Sequence, residues 1–123
     1  MTSQKTIEFS LSITSSGAWT QVNDQETAAP YVVSASSRCD VRDITLMNLG
    51  ANAAAVQYAI SASSPSGSAD IKLSPITVPA GGHYEGSRQH TLHAGFSLWA
   101  KATGTSPDVT VSAQGLEISG VIP

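Results

Sequence analysis

The sequence contains very little cysteine and little charge. Cys39 is the only cysteine among 123 residues, so the chain has neither an internal disulfide framework nor a zinc site built from cysteines. Charged residues make up 12% of the chain, and the formal net charge is −3. The six Lys and Arg residues are scattered along the sequence. This pattern predicts no phosphate-tracking surface and no nucleic-acid partner.

Long apolar runs are also missing. No run approaches membrane-spanning length, and residues 1–5 lack the apolar core of a signal peptide. We therefore expect no membrane partner and synthesis in the cytoplasm, where a lone Cys39 stays reduced. No window has helical periodicity. The chain length predicts one domain over residues 7–123, preceded by an N-terminal arm at residues 1–6.

Apolar residues alternate with polar ones at a period of two, which is the pattern of half-buried strands. The clearest case is the segment containing Ile7, Phe9, Leu11 and Ile13. Eight or nine such segments follow one another about ten to twelve residues apart. This spacing predicts an all-β fold, a jelly-roll-like β-sandwich of eight or nine short antiparallel strands.

Two segments carry more specific predictions. Residues 96–103 and 109–119 read as strands joined by a loop, and we expect them to pair as a hairpin. The apolar phase slips at Gly115, which predicts a β-bulge there. Residues 41–49 are apolar on both faces, which indicates a central strand or one face covered by a neighbouring subunit.

The aromatic residues are the candidate interaction sites. Trp99 is out of phase with the apolar residues of its strand, so we expect its indole on the face opposite the core. It is either a chance surface residue or an interface anchor, since tryptophan is enriched in binding hot spots. Trp19, Tyr31 and Tyr84 are the other interface candidates. The same four rings are the candidates for a sugar-stacking platform.

No residue pattern indicates catalysis. The three histidines, His83, His90 and His93, fall within eleven residues and suggest either a metal site, a ring around a symmetry axis, or polar loop residues. The opposite parity of His90 and His93 and the lack of an acidic or thiolate neighbour favour loop residues. No serine lies in a G-x-S-x-G elbow, and the carboxylates are spread over separate turns. We expect a non-enzymatic protein without cofactor or metal.

Two consecutive patterns near the end of the chain carry a resemblance. Residues 92–100 fit L-x-x-G-[apolar]-x-[apolar]-x-A, and residues 109–118 fit V-x-V-x-x-x-G-[apolar]-E-I. With residues 41–52 and 77–82, the similarity extends over residues 18–119. In these features the chain resembles small β-sandwich virion proteins of tailed bacteriophages.

The resemblance implies a structural protein of the virion, made in the host cytoplasm, that decorates or cements the capsid. Its partners would be the major capsid protein or other virion proteins. It would act as a homo-oligomer, with a trimer favoured. The alternatives are a collar, tail, baseplate or fibre-attachment component, and a carbohydrate-binding module, because one fold serves many functions.

Overall fold

The structure, a computed structural model, describes residues 3–120 and confirms the all-β sandwich. Within this range the chain forms eleven antiparallel strands and one short 3-10 turn, Ser68–Asp70. The strands are β1 (Ser3–Ile13), β2 (Thr20–Gln21), β3 (Asn23–Asp24), β4 (Ala29–Pro30), β5 (Ser37–Asn48), β6 (Ala54–Ser61), β7 (Ile76–Val78), β8 (His83–Gly86), β9 (His90–Leu92), β10 (Ser97–Thr103) and β11 (Val109–Ser119). Strands β2 to β4 have two residues each, too short to show a period of two. In residues 3–120 no helix has the length and apolarity needed to cross a membrane.

The strands form two facing sheets with jelly-roll topology. The larger sheet has the order β4-β3-β1-β11-β5-β8, and β9 also pairs with β5. The smaller sheet has the order β2-β10-β6-β7. Without the short strands β3, β4 and β9, two four-stranded sheets remain, β1-β11-β5-β8 and β2-β10-β6-β7. Pairs that are distant in sequence, such as β1 with β11 and β2 with β10, are therefore neighbours, as in a double Greek key.

The prediction that β10 and β11 pair as a hairpin was wrong, because these strands lie in different sheets. β10 pairs with β6 and β2, whereas β11 pairs with β1 and β5. The loop between them crosses the edge of the sandwich, with Gly104 at φ 152° and Ser106 at φ 45°. Apolar alternation shows which face of a strand is buried but not which strand lies beside it. Both strands bury their apolar faces in the same core from opposite sides.

Strand β1 begins earlier than the sequence suggested. Its apolar residues at 7, 9, 11 and 13 are all buried, as predicted. Its pairing with β11 starts at Ser3, which faces Ser119. Residues 3–6 of the predicted N-terminal arm therefore belong to the larger sheet. Met1 and Thr2 lie outside the described residues.

The predicted bulge at Gly115 was also wrong. The register of β11 against β1 is unbroken over the whole of both strands, and burial alternates regularly through Gly115. Glycine stands here because of close packing: a Cβ would lie 2.7 Å from both Cys39 Sγ and Phe9 Cε2. Leu116 consequently lies on the outer side of the sheet and is 37% exposed.

The bulge lies in β5, opposite β11. Ser112 faces Thr45 and Gln114 faces Arg42, so the register shifts between Ser112 and Gln114. One residue more is present on β5, and Asp43 adopts φ 57° at this point. Aspartate is among the residues that tolerate this left-handed conformation. The extra residue changes the phase of β5 in the middle of the strand.

This phase change explains the apolar pattern of residues 41–49. Val41 and Ile44 have opposite parity but both face the core, with 0% and 1% exposure. The second apolar face is therefore smaller than predicted and consists of Met47 and Leu49, which are 44% and 60% exposed. The prediction of a central strand is confirmed, because β5 lies between β11 on one side and β8 and β9 on the other.

Cys39 is a free thiol within the chain, as predicted, and it is completely buried. Burial raises the pKa of the Cys39 thiol to about 12. The residue therefore packs as a small neutral group in the core, next to the position of Gly115.

Candidate functional site

Both tryptophans lie on the outer side of the smaller sheet. On β10 the even-numbered residues from 98 to 102 fill the core, while Trp99 and Lys101 point away from it, as the parity predicted. Trp19 directly precedes β2, where Gln21 pairs with Trp99. Continuing this register places Trp19 across from Lys101, and the Lys101 Nζ lies 4.9 Å from the ring centroid of Trp19. We call the surface formed by Trp19, Gln21, Gln57, Trp99 and Lys101 the tryptophan face.

The side chains of the tryptophan face are held by their own sheet. The Trp99 Nε1–H donates to the carbonyl oxygen of Ser61 at 3.0 Å, across the β10–β6 pair. The Gln21 Nε2–H donates to Ser97 Oγ at 2.9 Å. The ammonium–ring contact of Lys101 with Trp19 adds about 0.5–1 kcal/mol at an exposed position. The hydrogen bond holds the Trp99 indole in place, and the Lys101 contact favours one orientation of the Trp19 ring before any partner binds.

Part of this side of the sheet is covered by the chain itself. Ala59 is completely buried there, and Ile71 forms a backbone bridge to it. A depression of about 220 Å³ remains between Trp19, Lys101 and the 65–67 loop. Trp19 borders this depression, whereas Trp99 is not among its lining residues, and both rings are partly buried. The face thus offers two rigid aromatic rings, amide groups and one cation.

Tyr31 and Tyr84, the other predicted interface residues, do not belong to this face. Tyr31 is only 8% exposed and packs edge-on against Phe9, with 5.2 Å between the ring centroids. It is a core residue, so its ring is not available to a partner. Tyr84 faces Leu46 across the β5–β8 pair and packs partly buried against the core from the larger sheet.

The hydroxyl of Tyr31 is buried near Cys39 and Glu117, but within residues 3–120 no group lies in hydrogen-bonding geometry with it. Burial is the main reason that its pKa is raised, and the neighbouring Cys39 and Glu117 raise it further.

Removing a buried hydroxyl without a partner relieves its desolvation cost. We expect Tyr31→Phe to raise the free energy of unfolding by about 1 kcal/mol in urea denaturation. Tyr58→Phe is the matched control, because the Tyr58 hydroxyl lies 3.3 Å from His90 Nε2, and we expect it to be neutral or destabilising. Destabilisation by Tyr31→Phe would show that its hydroxyl has a partner.

The structure separates the three histidines. His83 is exposed and lies 3.9 Å from Glu85, His90 contacts Tyr58, and His93 packs edge-on against Phe96. In the part of the chain that is described, no three His, Cys, Asp or Glu side chains come close enough to hold a metal ion.

A second surface was not found from the sequence. Lys72, Arg88 and His90 line one cleft of about 390 Å³, which we call the basic cleft. They come from the segment before β7, the connection between β8 and β9, and β9 itself. Their spacing of 16 and then two residues follows no motif. Only the topology brings them together.

Neither a scan against protein-family models nor a search of curated proteins finds a match to this chain. A proposal for its function therefore rests on the fold, the tryptophan face and the sequence resemblance.

Proposed function

We propose that this protein is a non-enzymatic structural protein of a tailed-bacteriophage virion. In this proposal it decorates or cements the head and attaches through the tryptophan face. The observation that supports it most is the placement of both tryptophans on one outer surface. The core is complete without them, so neither ring is needed to fill the sandwich.

A surface of this kind is suited to protein contact. An indole removes about 150–250 Å² from water when it is fully buried. Trp99 and Trp19 are already oriented by Ser61 and Lys101, so docking orders few additional side-chain torsions. A jelly roll presents such a face on paired strands, which keep the distance between the two rings constant.

The sequence resemblance supports the virion setting, with the major capsid protein or another virion protein as the partner. A homo-oligomer, most simply a trimer, would place several tryptophan faces on a symmetric shell. The alternative within the virion is a collar, tail, baseplate or fibre-attachment component. Copy number in purified particles distinguishes them: on the order of hundreds for decoration, and about six or twelve for a ring.

We expect Trp99→Ala to weaken binding to undecorated particles by about 30-fold or more, because loss of a central aromatic anchor often costs about 2 kcal/mol. The measurement is co-sedimentation of purified protein with particles that lack it. Trp99→Phe keeps an aromatic ring but removes the bond to the Ser61 carbonyl, and we expect an intermediate effect.

Met47→Ala is the matched control, since Met47 is an exposed apolar residue on the opposite outer surface. Thermal unfolding of each variant tests whether the fold is retained. The tryptophan face is not the attachment surface if Trp99→Ala remains folded and binds particles as the unmodified protein does.

Carbohydrate binding is the second candidate function. It is favoured by the Trp19 ring and the Gln57 side chain, which line one depression, and by Trp99 on the same outer surface of the sheet. One face of the Trp19 ring is, however, occupied by Lys101, which leaves less surface for a sugar to stack on. Quenching of tryptophan fluorescence by soluble oligosaccharides would support this candidate, and particle binding with no such quenching would exclude it.

A further inference from the structure

The basic cleft lies between the two sheets, with Ile60 of β6 on one side and His90 of β9 on the other. The bulge in β5 lies where its pairing changes from β8 to β9, between Ile44 and Val41. Residues 87–89 span this change and bring Arg88 to the cleft.

The positive charges of the cleft are not neutralised by the chain. Within residues 3–120 neither Lys72 nor Arg88 lies in an ion pair, and none of the lining residues is acidic. The nearby Asp40 accepts a hydrogen bond from Thr91 Oγ1 at 3.0 Å and lies 3.8 Å from Arg38. A chain with net charge −3 therefore concentrates two unpaired cations at one opening.

His90 lines the same cleft as Lys72 and Arg88. Burial lowers the pKa of His90, and the positive charges of Arg88 and Lys72 lower it further. The hydroxyl of Tyr58 on β6, 3.3 Å from Nε2, is the other titratable group in contact with the ring. A bound anion would oppose this lowering, because a negative charge favours the protonated form of His90.

The side-chain amide of Gln89, which also lines the cleft, can donate hydrogen bonds to a ligand. Gln89 Oε1 accepts a hydrogen bond from Arg42 Nη2 at 2.8 Å. Its carbonyl side is therefore occupied, and its NH₂ group remains available as a donor. Ammonium, guanidinium and amide donors together match the acceptor oxygens of carboxylates.

We propose that this cleft binds the carboxylate side chains of an acidic peptide segment presented by a protein partner. Its volume of about 390 Å³ accommodates several side-chain groups and exceeds what one small oxyanion fills. A nucleic acid would need a longer track of cations than these two. The inference does not depend on the virion role, because isolated protein and synthetic peptides are sufficient to test it.

The test is an NMR titration of the protein at low salt with a short oligoglutamate peptide. We expect the signals of Gln89 and His90 to shift, and oligoglutamine of equal length to leave them unchanged. Lys72→Gln and Arg88→Gln should each weaken binding by about 2- to 5-fold, as expected for partly solvated charge pairs. Lys101→Gln, which removes a cation on the tryptophan face, is the control and should bind normally.

The pH dependence provides a second readout. A bound carboxylate favours protonated His90, so binding should raise the pKa of His90, and affinity should increase as the pH is lowered from 7 towards that pKa. His90→Gln should remove this increase. Equal binding of oligoglutamine, or equal weakening by Lys101→Gln, would overturn the proposal. Inorganic phosphate that binds the cleft as tightly as the peptide would also overturn it, because the site would then take free anions.

Discussion

Replacing Gly115 with valine is expected to lower the free energy of unfolding by about 3 kcal/mol, at the upper end of the range for overpacked cores. A Cβ at this position would lie 2.7 Å from both Cys39 Sγ and Phe9 Cε2, closer than these atoms can approach. Both neighbours are almost completely buried and cannot move aside freely. Urea denaturation with an unchanged m-value would measure the loss.

Two further variants test the cause of this effect. Gly67→Ala is the matched control, because no atom lies within 4 Å of its added Cβ and its φ is not positive. Cys39→Ala removes one of the two clashing atoms, so Gly115→Ala should be less destabilising in that background than alone. If Gly115→Ala and Gly67→Ala have equal stability, contact with Cys39 and Phe9 does not constrain the position.

Replacing Asn48 with alanine is expected to be comparably damaging, by about 3 kcal/mol. The side chain is 1% exposed and makes three hydrogen bonds. Its Nδ2 donates to the carbonyl oxygens of Asn52 at 2.8 Å and Val78 at 2.9 Å, and its Oδ1 accepts from the Gly50 backbone N–H at 3.0 Å. Each buried partner left unsatisfied costs about 1–3 kcal/mol.

Asn48 also connects the two sheets, because it lies at the end of β5 while Val78 belongs to β7. Asn52→Ala is the control. The Asn52 amide makes a single exposed bond to the Thr105 carbonyl, so its loss should cost less than about 0.5 kcal/mol. A lower melting temperature for Asn52→Ala than for Asn48→Ala would contradict this account.

The burial of individual strands could be predicted from the sequence. Alternation around Phe9 placed the core side of β1, and alternation around Leu98 placed Trp99 on the opposite side of β10. These predictions succeed because side-chain direction in a strand is a local property with a period of two. The all-β class and the sandwich followed from the number and spacing of such segments.

Residue type alone did not show which aromatic rings are buried in the core and which are exposed. Tyr31 was an interface candidate, yet it lies in the core against Phe9. It follows the two-residue strand β4, which is too short to define a phase. The slip at Gly115 was read as a bulge, whereas the glycine reflects contact with two residues distant in sequence.

The sequence by itself determined which faces of the long strands are apolar, and therefore the fold class and the outward position of Trp99. Only the tertiary structure decided which strands are neighbours. Backbone N–H and C=O groups are the same in every strand, so their hydrogen bonds do not depend on which sequence lies beside them. That pairing separates β10 from β11, moves the bulge to Asp43, and brings Trp19 beside Lys101. It also unites Lys72, Arg88 and His90, since the cleft exists only where two sheets meet.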